Sequence, residues 1–95
     1  MINILNIPRI PRVVGRLGNA RKPQSFSVQV LQGGRVIVQS DKSIGEIDLE
    51  TGHGRYNPKG HYFPHLALAR PYQFPPEFVE QVRHAAGVFS ALSEH

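Results

Sequence analysis

Eleven basic side chains, eight of them arginine, define the chemistry this chain can offer. Arg9, Arg12, Arg16, Arg21, Lys22 and Arg35 lie within residues 1–40, which contain no Asp or Glu. The remainder carries five basic and seven acidic residues, so a formal net charge of +4 conceals a basic N-terminal half. Arginine presents a planar fork that suits phosphate and carboxylate. A basic arm is an established way of holding a nucleic-acid backbone. A second stretch, Arg55-Tyr56-Asn57-Pro58-Lys59-Gly60-His61-Tyr62-Phe63, interleaves cations with aromatic rings. Rings stack on unpaired bases while cations hold phosphates. The competing demand is the core: only eight aromatic residues exist, and it is expected to claim Tyr56, Tyr62 and Phe63.

Other constellations carry less. His53, His61 and His65 lie close in sequence, but Pro64 interrupts any helix through the last two, and no acid lies between Thr51 and Pro76. No metal site and no cofactor are expected. His53 or His61 beside Arg55 and Lys59 supplies the residue types of a metal-independent nuclease, without a motif to fix their roles. Glu46, Asp48 and Glu50 alternate, as a solvated strand face does, and could receive the basic arm. Gly33-Gly34 and Gly52-His53-Gly54 lack the strand–glycine–lysine–helix setting of a phosphate loop and read as turns. There is no cysteine, which excludes disulfides and thiolate chemistry. No apolar run is long enough for a membrane span, and cytoplasm is the default compartment.

The elements that position these groups follow from periodicity. In 95 residues one small domain is expected. Ile2–Ile7 reads as a short strand, and residues 8–24 as an irregular basic arm punctuated by proline and glycine. Ser25–Leu31 alternates apolar and polar residues, and Arg35–Gln39 returns. A three-residue Gln32–Gly34 loop places Val30 opposite Val36 and Val28 opposite Val38, which gathers Phe26 and four valines on one face. Ile44–Leu49 is a third strand with Gly45 as a bulge, and Arg55-Tyr56 starts a fourth. Ile44–Tyr56, with its Asp-Leu-Glu-Thr-Gly turn, resembles hairpins common to many β proteins. His61–Arg70 is a strand or a short helix, and Pro71–Pro76 a connector. Phe78, Val82, Ala85, Phe89 and Leu92 then recur at helical spacing after Pro75-Pro76.

The expectation is an α+β domain: an antiparallel meander of three to four strands over residues 25–57, packed by one C-terminal helix over 75–93 and preceded by the arm. The expected function is a non-enzymatic module that contacts nucleic acid through Arg9, Arg12, Arg16, Arg21 and Lys22, with Arg55, Tyr56 and Lys59 as a second group. The competing expectation is a protein-interaction or assembly factor, homo-oligomeric through a strand edge. The third is the small nuclease.

Overall fold

The computed structural model describes residues 12–93 except 32 and 34, and of residues 88–93 the backbone alone. Six strands form one antiparallel sheet in sequence order: β1 (Arg12–Gly15), β2 (Gln24–Val30), β3 (Arg35–Gln39), β4 (Ile44–Asp48), β5 (His53–Asn57) and β6 (Arg70–Gln73). Helix α1 (Pro76–Ser93) follows, so the chain is α+β. The strand expected at Ile2–Ile7 and the cation Arg9 lie outside the described residues.

The β2–β3 pairing has the register that alternation demands, with Val28 opposite Val38 and Val30 opposite Val36. Residues 32 and 34 of the loop between them lie outside the description. Phe26, Val28, Val36, Val38 and Ile47 face α1 and are buried against Phe78, Val79, Val82 and Ala85. The Phe26 and Phe78 rings meet edge to face at 5.3 Å. Phe74 is fully buried just before the helix and stacks on Phe78 at 6.0 Å. Burying a large aromatic ring contributes about 2–3 kcal/mol, so this cluster anchors the helix.

Four expectations need correction. The sheet has six strands, not three to four. Residues 12–15 of the presumed irregular arm form β1, because Val13 and Leu17 are apolar enough to be buried and Gly15 admits the Phe78 ring. A Cβ at Gly15 would lie 2.7 Å from that ring. Residues 71–73 of the presumed connector, together with Arg70 before them, form β6, and Pro71 is tolerated there because an edge strand has a partner on one side only. Finally, Gly45 is no bulge: it pairs in continuous register with Val38 and Tyr56. Its missing side chain makes room for the backbone of Arg55 and the rings of Phe74 and Tyr56.

The undecided segment resolves as a 3-10 helix, Phe63–Leu68, packed against β4 and β5. Asn57 donates to the His65 carbonyl at 2.9 Å, and Gln39 donates to that of His61. Both donors lie on the sheet face opposite α1, where Ile37 and Ile44 are also buried.

Candidate nucleic-acid interface

A meander sends alternate connections to opposite ends of its sheet. Residues 16–23, 40–43 and 58–69 therefore share one end. All three lysines of the chain, Lys22, Lys42 and Lys59, sit in these three connections. Arg16 and Arg21 share the first of them, and Arg70 opens β6 at the same end. Among the described residues of these connections, Asp41 is the one carboxylate.

The side chains line a chain of hollows. The largest, about 810 Å³, is walled by Arg12, Arg21, Lys22, Lys42, Ser25 and Asp41. It shares Ala20, Gln24 and Lys42 with a second of about 490 Å³, which continues past Lys59 and Arg70. A third, about 620 Å³, shares Lys59 and Arg70 and ends at His65 and Leu68. The result is a furrow along the strand ends whose walls carry Arg12, Arg21, Lys22, Lys42, Lys59 and Arg70.

Each wall is held from beneath. Arg12 donates through Nε to Ser25 Oγ at 2.7 Å and through Nη2 to the Ser25 carbonyl at 2.9 Å. Leu17 is buried, and the Gly18 N–H donates to Tyr72 Oη at 2.9 Å, which ties the first connection to β6. Gly18 adopts φ +60°, the left-handed conformation in which glycine bears no Cβ penalty. The 40–43 turn rests on a buried hydroxyl pair. Ser40 donates to Gln24 Oε1 at 2.6 Å and Ser43 at 3.0 Å, while the backbone N–H groups of Lys42 and Ser43 donate to Ser40 Oγ. Buried hydroxyls this well satisfied fix one backbone geometry, and that geometry projects Lys42.

The expected site residues are distributed unevenly. Arg12, Arg21 and Lys22 share one hollow, and Lys59 stands on the adjoining one. Arg16 is exposed in the same connection without lining these hollows. Arg55 points from the face opposite α1, and its Nη2 lies 3.3 Å from Glu46, which Arg35 also reaches at 3.4 Å. Of the acidic ladder, Glu46 thus engages Arg35 and Arg55. Tyr56 is 5% exposed and packs on Tyr72 and Phe74, which leaves its ring no face for a base. Its hydroxyl is buried without a hydrogen-bond partner. Burial raises the Tyr56 pKa; Ser43 offsets part of that rise without reaching hydrogen-bond geometry, and Tyr72 adds to it.

Lys42 and Arg70 were not among the expected contacts. Loop parity could have found both, since a four- or six-strand meander returns the 40–43 turn and the start of β6 to the end that carries Arg21 and Lys22. The residues of the nuclease constellation are divided: His53 opens β5 at one end, whereas Lys59 and His61 follow its other end. Among the described residues, no three His, Asp or Glu side chains gather for a metal, and no helix is long and apolar enough to cross a membrane. No protein-family model, curated protein or solved structure matches this chain.

Proposed function

We propose that this protein is a nucleic-acid-binding module that holds phosphates along the basic end of its sheet. The observation that carries this reading is the convergence of three separate connections on one furrow with six cationic side chains and a single carboxylate, Asp41, in its walls. Like charges gathered this way repel one another, a cost that an anionic ligand offsets. Six strand ends about 4.8 Å apart span roughly 24 Å. Phosphates along one strand recur every ~3.4 Å, so four or more fit that length.

The reading is tested by fluorescence anisotropy of labelled 20-nucleotide oligonucleotides at low and moderate salt. Neutralising about four phosphates makes affinity fall roughly fiftyfold between 50 and 200 mM salt. The paired change Lys22→Gln, Lys42→Gln should weaken binding at least tenfold. An absence of binding at low salt would overturn the proposal; a dimeric mass in the same sample would favour an assembly factor instead.

A further inference from the structure

Resting on that reading, we infer that the nucleic acid is single-stranded and that Tyr62 and Phe63 are the platform on which its bases stack. The core takes Phe26, Tyr56, Phe74 and Phe78, and half-buries Tyr72. Tyr62 and Phe63 stay outside it, 60% and 50% exposed. Leaving two large rings in water forgoes burial that a short chain otherwise uses.

The platform is built rather than loose. The Tyr62 ring lies 4.1 Å from that of His61 and 5.7 Å from that of His65, centroid to centroid. His65 Nδ1 accepts the Tyr62 backbone N–H at 3.2 Å. The missing side chain of Gly60 lets the His65 ring pack against the chain. Gln39 and Asn57 tie the carbonyls of His61 and His65 to the sheet. The segment therefore holds the Tyr62 ring in place before any ligand arrives, which lowers the ordering cost of binding.

Its position matters as much as its exposure. His65, packed beside Tyr62, also lines the hollow that contains Lys59 and Arg70. The Tyr62 ring is thus separated by one side chain, His65, from the hollow that holds the cations Lys59 and Arg70. A strand with unpaired bases uses both at once, phosphates along the cations and bases on the rings. A duplex keeps its bases stacked inside and would leave the rings unused.

The test compares oligo-dT and oligo-U 20-mers with a duplex of equal length. The wild-type chain should prefer the single strands. Tyr62→Ala with Phe63→Ala should lose tenfold or more on single strands, as removal of stacking rings does, and less than twofold on duplex. The pair Lys22→Gln, Lys42→Gln should weaken both. Tyr62→Trp should retain single-strand affinity, and its indole, the sole tryptophan in the chain, should be quenched at saturation. Unchanged single-strand affinity in the alanine pair, an unquenched indole under bound oligonucleotide, or a preference for duplex would overturn the inference while the basic-end reading stands. No binding of any oligonucleotide would overturn both.

Discussion

The two ends of the sheet handle charge in opposite ways. At the end formed by residues 49–52 and the start of α1, two of the acids, Asp48 and Glu80, are occupied within the fold. Asp48 accepts the Glu50 N–H at 2.9 Å in its own turn, and Glu80 pairs with Arg83, whose other nitrogen donates to the Leu49 carbonyl at 2.6 Å. Mid-sheet, Glu46 takes both Arg35 and Arg55. At the other end, Lys22, Lys42, Lys59, Arg21 and Arg70 make no ion pair among the described residues. Some acids pair internally at one end while cations accumulate at the other, and the proposed interface rests on that contrast. The lesson is topological: a meander turns an alternation of loop charge along the chain into a separation in space.

Reversing charge at the basic end is the strongest way to break this contrast. Lys22→Glu with Lys42→Glu should cost a hundredfold or more in oligonucleotide affinity, because two phosphate contacts are lost and two repulsions gained. The matched control is Glu50→Lys with Glu77→Lys. The strands between the two ends are four to seven residues long, roughly 13–23 Å, which exceeds the ~8 Å screening length at physiological salt. The control should therefore change affinity less than threefold in the same titration. Equal responses at both ends would replace a built interface with a general field.

Much of this was legible in the residues. Strict alternation in Ser25–Val30 determines which face of β2 is apolar, and a slip by one residue would expose that face. The spacing of Phe78, Val82 and Ala85 marks α1 equally clearly. The edge strands were hidden because each has four residues and contains Gly15 or Pro71. Tertiary packing of Val13, Leu17 and Phe74 outweighs those local signals. At the candidate site, basic types are plain in the sequence, but their grouping depends on loop parity, which a missed β1 and β6 obscure. Tyr56 and Tyr62 look alike on paper. The first falls on the core side of β5, whereas the second follows Gly60 out of the strand.

A smaller effect sharpens the account of what holds the basic end. Gln24→Ala removes the acceptor shared by the Ser40 and Ser43 hydroxyls, both buried. Urea unfolding should show a loss of about 1–3 kcal/mol for buried polar groups left short of a partner. Affinity should fall severalfold as the Lys42 turn loosens. Tyr56→Phe goes the other way. It deletes a buried hydroxyl that has no partner, so stability should rise by up to about 1 kcal/mol. The Tyr56 pKa is raised above its ordinary value of 10.0. Above that pH the unfolded chain sheds the proton first while the native state retains it, so the stability contributed at neutral pH is progressively lost as pH rises. The wild-type chain should therefore lose stability more steeply than Tyr56→Phe in unfolding curves collected above that pH.

The smallest expected effect concerns Glu46, and it decides whether Arg55 belongs to the interface. Glu46→Gln leaves Arg35 and Arg55 without their shared carboxylate. Both guanidinium groups are well exposed, with 59% and 44% of their side-chain surface in water, so the lost pairing should cost no more than about 1 kcal/mol. The change also adds one unit of net positive charge and frees both arginines on the face opposite α1. If phosphates run along the strand ends, oligonucleotide affinity should stay within twofold and the salt slope should not change. A tighter complex with a salt slope steeper by roughly one phosphate contact would extend the ligand path from the furrow onto that face. The acidic ladder would then act as a restraint on binding, in place of the internal charge balance that its geometry supports.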